Sequence, residues 1–245
     1  MSKKKRPSTA KRAKHSAQSA SRQEDLRAQH RRTLILAAVL LGLLIGLVIV
    51  AVVQSRETVP GGNEAPRANS SLVPSADHAR GHEWNWVLET NRGDISIVLD
   101  GNEAPQAASV LLSLNQGGFF ASTDCHRIRT EEPFFLQCGS PDGTSSGGPP
   151  YRFGPVENAP SDHRYPAGSV VMVRSGDDEY SMGSQFFIVY EDSVIETADG
   201  RGYTVVGRVT EGLDIVRHVA EGGTITGASD GQPAQSVILK KVATA

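Results

Sequence analysis

Cys125-His126-Arg127-Ile128-Arg129-Thr130-Glu131-Glu132-Pro133-Phe134-Phe135-Leu136-Gln137-Cys138-Gly139 is the stretch on which the reading of the fold depends. Short runs at 125–128 and 134–137 flank a polar connection that contains Pro133, the pattern of two strands. Successive side chains of a strand point to opposite faces, so Cys125 shares a face with Arg127, and Phe135 with Gln137. If the two runs pair as a hairpin, Arg127 and Gln137 can face the same groove. The same alternation puts Cys138 on the face opposite Gln137. Cys125 and Cys138 are therefore not expected to bond unless a bulge intervenes.

Upstream, residues 84–90 and 94–99 read as two strands joined by Asn91-Arg92-Gly93. Ile95, Ile97 and Leu99 recur every second residue, the period of a sheet with one buried face. The period then changes. Ala104-Pro105 opens a helix carrying Ala108, Leu111, Leu112 and Leu114, closed by Gly117-Gly118. Downstream, short strands are expected at 169–173, 185–189, 204–209 and 236–242, with a second amphipathic helix over 213–220. Many short strands and few helices imply a mainly β architecture, a barrel or a sandwich.

Three motifs then converge: His126-Arg127-Ile128 with Phe134-Phe135-Leu136-Gln137 and Gly139, Gly168-Ser169-Val170-Val171-Met172, and Gly183-Ser184-Gln185-Phe186-Phe187-Ile188. Their order and spacing, from about Trp86 to Val242, resemble the cyclophilin-type peptidyl-prolyl cis–trans isomerases. The resemblance implies an eight-stranded antiparallel closed barrel capped by two helices. It implies Arg127 as the catalytic arginine and Phe134, Phe135 and Phe187 as walls of a proline pocket. It further implies Gln137 and Gln185 as amides that hold the substrate and orient the arginine, and Val173, Arg174 and Ser175 as a strand-like edge for the peptide. Ile195 and Tyr203 stand where the family completes the pocket. Tyr203 occupies a position often filled by His, and the 128–133 connection is about two residues longer than usual. These departures keep a second function open: a module that grips proline segments, chaperone-like, with little catalysis.

The N-terminal third carries a different message. Leu34 to Val53 is uncharged and apolar apart from Gly42 and Gly46. As a helix, 20 residues at ~1.5 Å each span ~30 Å, the hydrocarbon thickness of a bilayer. A single transmembrane helix is expected over 34–53, in contact with membrane lipid. The run is longer than a signal-peptide core and ends without a clean Ala-x-Ala, which favours an uncleaved anchor. Of the 25 Lys and Arg, eleven lie in residues 1–33, where Glu24 and Asp25 are the only acids. This excess marks the N-terminal side as cytoplasmic and places the C-terminal domain outside, on a single-pass protein of the cell membrane. Residues 1–33 are expected to be a disordered basic arm, 54–82 a flexible linker rich in Pro, Gly, Asn and Ser, and 83–245 the isomerase-like domain.

Two cysteines exclude a disulfide scaffold or a Cys-built zinc site. The basic arm lacks interleaved aromatics, so no nucleic-acid partner is expected. No metal or other cofactor is expected. The resemblance implies proline-containing polypeptides as partners, and a monomer is expected. His126 reads as a hydrogen-bonded structural residue rather than a general base. A Ser–His hydrolase has no nucleophile elbow in this sequence.

Overall fold

The computed structural model describes residues 67–244. The expected arm (1–33), the apolar run (34–53) and the start of the expected linker (54–66) lie outside the described residues. Among the described residues no helix is long and apolar enough to cross a membrane.

The chain opens with one turn of 3-10 helix at Ala76–His78. It continues through β1 (Glu83–Thr90), β2 (Gly93–Asp100), α1 (Pro105–Gln116), β3 (Thr123–Asp124), β4 (Arg127–Arg129), β5 (Phe135–Cys138), β6 (Arg164–Tyr165) and β7 (Ser169–Met172). After these come β8 (Phe186–Val189), β9 (Ser193–Val194), β10 (Val205–Glu211), α2 (Leu213–Glu221), β11 (Asp230–Gly231) and β12 (Ile238–Thr244). In β2 the alternation of the sequence becomes burial: Ile95, Ile97 and Leu99 are all buried, and Trp86 and Leu88 lie opposite Ile97 and Ile95. Helix α1 has Pro105 at its start, and Ala104 before it offers no side-chain cap. Glu157, fifty residues on, supplies one: its carboxylate accepts from the Gln106 and Ala107 amides at 3.0 and 2.9 Å.

Ten strands form one antiparallel sheet in the order β11-β4-β5-β8-β7-β10-β2-β1-β12-β3, with β6 and β9 pairing separately. The sheet is curled, and α1 and α2 accompany it. It is not the closed eight-stranded barrel that was expected: the ladder ends at β3 and β11. The physical reason lies in residues 123–129. The first half of this extended stretch pairs with β12 and the second with β5, and Cys125-His126 between them stands outside the ladder. The stretch is thereby divided between β3, at one end of the sheet, and β4, one strand in from the other end.

That interruption also corrects the cysteine expectation. Strict alternation would require a regular strand through Cys125. Instead the Cys125 amide turns to the Val237 carbonyl at 2.9 Å, and Cys125 and Cys138 form a disulfide with their Cα atoms 4.0 Å apart.

Strands β5, β7 and β8 are buried on both faces, which is why their sequences lack the alternation seen in β2. One face, with Leu136, Cys138, Val170, Met172, Phe186 and Ile188, joins the main core beneath β1, β2 and α1. The other, with Phe135, Val171, Phe187 and Val189, builds a second, smaller cluster with Tyr165 and Ile195.

The compact unit begins at Arg67, so residues 67–82 do not behave as linker. The Asn69 side chain donates to the Gly154 carbonyl (2.7 Å) and accepts from its amide (2.9 Å). Ser109 of α1 donates to the Ala76 carbonyl and accepts from the Ala79 amide, both at 3.0 Å. Ala79 itself is fully buried.

Candidate active site

The second cluster sits at the centre of a row that crosses five strands. Arg127 pairs with Gln137, Gln137 with Phe187, Phe187 with Val171, and Val171 with Val205. Cross-strand partners share a face. The row therefore starts with a cation, passes an amide and ends on an apolar floor.

The orientation of the polar end is set from behind. The loop after β5 presents the carbonyls of Thr144, Ser145 and Gly147, which accept from Gln185 Nε2 at 3.2, 3.0 and 2.7 Å. Carbonyls accept only, so they fix which end of the Gln185 amide is nitrogen. Gln185 Oε1 then accepts from Gln137 Nε2 at 2.6 Å, and Gln137 Oε1 accepts from Arg127 Nη1 at 3.3 Å. A relay of two buried amides thus points one oxygen at the guanidinium.

The apolar part is aromatic. Phe135 and Phe187 lie with ring centroids 4.3 Å apart, and Phe187 meets Tyr203 edge-on at 5.9 Å. Ile195 closes one side, and Val173 and Val205 pack at the border. The Arg127 guanidinium carbon is 5.2 Å from the centre of the Phe135 ring. A groove of about 370 Å³ continues past Gln185 along Gly147, Arg152, Val173 and Ser175.

The structure brings together Arg127, Phe135, Gln137, Gln185, Phe187, Ile195 and Tyr203. It does not bring Phe134 to them. Phe134 precedes Phe135 by one residue, points the other way, and packs on the main core with its ring 5.8 Å from Tyr190. Along the 173–175 edge the Val173 amide donates to the Gln185 carbonyl and the Ser175 amide donates to Ser181 Oγ. The Arg174 side chain is fully buried. It makes a two-pronged bond to Asp199 at 2.7 and 3.0 Å and donates to the Gly202 carbonyl at 2.8 Å. Its guanidinium carbon lies 5.4 Å from the centre of the Tyr203 ring. Arg174 shapes the turn that carries Tyr203.

Two further residues were absent from the sequence reading. Tyr165 Oη accepts from the Tyr203 amide (2.7 Å) and donates to its carbonyl (3.3 Å), fixing the backbone of that wall. Asp230 accepts from Arg127 Nε at 2.7 Å and Nη2 at 2.6 Å. These bonds hold the Asp230 carboxyl below its usual pKa, against a smaller upward push from burial. In return Asp230 raises the already high pKa of Arg127. At His126 burial lowers the pKa, opposed in part by the Asp124 backbone, and no bond of regular geometry reaches either ring nitrogen among the described residues.

Fold and site together define a curled β-sheet domain with a fixed cation beside an aromatic groove. The family model for cyclophilin type peptidyl-prolyl cis-trans isomerase/CLD matches residues 86–244, and the chain belongs to that family. A probable peptidyl-prolyl cis-trans isomerase B of Mycobacterium tuberculosis is 38% identical over 169 residues, 63% of this chain and 52% of that protein. The chain thus spans about half the length of this relative. A peptidyl-prolyl cis-trans isomerase of Helicobacter pylori is 35% identical over 141 residues, 57% of this chain and 82% of that one. The crystal structure of a Cryptosporidium parvum cyclophilin type isomerase superposes with a TM-score of 0.55 at 24% identity. It covers 67% of this chain and 98% of that one.

Proposed function

We propose that the chain is a peptidyl-prolyl cis–trans isomerase. It accelerates X-Pro rotation in polypeptides outside the cytoplasm, as a monomer held to the cell membrane by residues 34–53. The observation that carries the reading is the row from Arg127 through Gln137 and Phe187 to Val171, beside the Phe135–Phe187 ring pair. Rotation about a peptide bond meets a barrier of ~18–20 kcal/mol because resonance stiffens the C–N bond. In the twisted state the prolyl nitrogen regains its lone pair and becomes an acceptor. The Arg127 guanidinium, always charged, donates to that nitrogen more strongly than to the planar imide. This is binding reserved for the transition state. The proline ring rests on Phe135, Phe187, Ile195 and Tyr203, while Gln137 holds the neighbouring backbone. No nucleophile or cofactor is called for.

The test is the isomerisation rate of a proline tetrapeptide with the full-length chain in detergent. Acceleration over the uncatalysed exchange of tens to hundreds of seconds supports the proposal, and none at micromolar chain overturns it. Membrane placement is tested separately, by alkaline extraction of membranes and protease access to the C-terminal domain in intact cells. The alternative, a groove that grips proline segments without speeding them, draws on the two bonds Asp230 already takes from Arg127. Saturable peptide binding with no gain in rate would select it.

A further inference from the structure

We infer that Asp230 is a positioning residue for isomerisation, acting only through Arg127: it clamps one edge of the guanidinium and leaves the Nη1 edge for the prolyl nitrogen. The inference rests on the isomerase reading above. Arg127 is a long side chain, 37% exposed, with many rotamers open to it when free. Left alone it would sample many positions. Asp230 holds it with two parallel charge-assisted bonds, a geometry that fixes the plane of the fork as well as its place. Gln137 engages the other edge through a longer bond of 3.3 Å. Of the three nitrogens, Nε and Nη2 are committed to the carboxylate. Nη1 faces Gln137 and retains a second N–H.

Asp230 is itself held in place. It lies on β11, directly opposite Arg129, and that strand is pinned to β4 by the Thr130 amide donating to the Ser229 carbonyl at 2.8 Å. Behind it, Thr224 Oγ1 donates to the Ala228 carbonyl at 2.6 Å, and the Ile225 amide donates to the Gln232 carbonyl at 2.9 Å. Arg129 Nε approaches the same carboxylate at 3.9 Å, so a second cation helps to retain the anion. A carboxylate beside the working cation weakens its donation. Its presence makes sense if orientation contributes more to the rate than undiluted charge.

The experiment is a cycle of steady-state measurements on the full-length chain, with Arg127→Ala, Asp230→Ala, Asp230→Asn and Arg127→Ala/Asp230→Ala. Asp230→Ala is expected to lower kcat/KM roughly tenfold, within the ~10²-fold that a 1 Å misplacement of a catalytic group can cost. The loss should fall on kcat, with KM within about twofold. Asp230→Asn keeps one acceptor oxygen at the same place and should lose less. The double variant should match Arg127→Ala alone. A rise in kcat on removing the carboxylate, an unchanged kcat, or a further loss in the Arg127→Ala background would each overturn the inference. Failure of the isomerase reading looks different: the unaltered chain would itself give no rate above the uncatalysed exchange, and every variant would match it. Circular dichroism and the melting temperature of each variant separate loss of rate from loss of fold.

Discussion

Two arginine–aspartate pairs flank the candidate groove, alike in chemistry and unlike in setting. Arg127 and Asp230 are bonded at 2.7 and 2.6 Å with both side chains a little over one-third exposed. Arg174 and Asp199 are bonded at 2.7 and 3.0 Å with side-chain exposures of 0% and 18%. Water competes for the first pair and screens it, so its worth to folding is about 0–1 kcal/mol. The second has one partner wholly out of water, so removing the other leaves a buried charge. The same bond is therefore a pointer in one place and a brace in the other. One aims a cation at the groove. The other holds the turn that brings Tyr203 onto Phe187.

The comparison breaks first, and with the largest effect, at Arg127. Arg127→Ala should lower kcat/KM roughly 10³-fold, about 4 kcal/mol, while shifting the melting temperature by no more than about 2 °C. Parallel peptide turnover and thermal unfolding check both halves, and a large melting shift would make the exposed pair a brace after all. Asp199→Ala should do the reverse. Urea unfolding should show a loss of about 3 kcal/mol, with kcat nearly kept and KM raised as the Tyr203 wall loosens.

Acid sharpens the contrast. Arg174 holds the Asp199 carboxyl far below the usual carboxylate range, mainly through its hydrogen bonds. A depressed folded pKa contributes stability that is complete above the unfolded value near pH 4 and fades as pH falls through the folded value. The melting temperature should therefore drop between about pH 4 and pH 2, less steeply in Asp199→Asn. Asp142 adds to this descent: its carboxyl is lowered to about 2 by bonds from the Thr144 amide and the Thr144 and Ser140 hydroxyls. The smallest effect is that of salt. Between 0.05 and 1 M NaCl the Debye length shrinks severalfold, so the few tenths of a kcal/mol lost in Asp230→Asn should vanish. The cost of Asp199→Ala should persist.

Much of the site was legible because strand alternation is a local rule. Arg127 and Gln137 could be given a common face from parity together with an assumed hairpin, which the Arg127–Gln137 register bears out, and the Pro105 start and glycine stop of α1 needed only neighbours in sequence. Parity also separates Phe134 from Phe135, and on that point it outweighs a motif that treats the two as one wall. What escaped the sequence depends on distant partners or on departures from regularity. Asp230 lies 103 residues beyond Arg127, and its short strand carries no periodicity. Burial of Arg174 depends on Asp199 and Gly202, in a loop with no alternation to read. The disulfide and the open ladder share one cause, the two residues at which the chain leaves the sheet between β3 and β4.

The packing of residues 67–82 has a practical consequence for anyone trimming this chain. A fragment cut at residue 83, where the first strand begins, would remove both partners of the Ser109 hydroxyl. It would also remove the carbonyl that accepts from Trp84 Nε1 and the one that accepts from Gln106 Nε2. The small apolar plug at Ala79 would go with them, baring a flank of α1 to solvent. A cut at or before Arg67 keeps all of these contacts, which makes sixteen unassuming residues the difference between a well-behaved fragment and a sticky one.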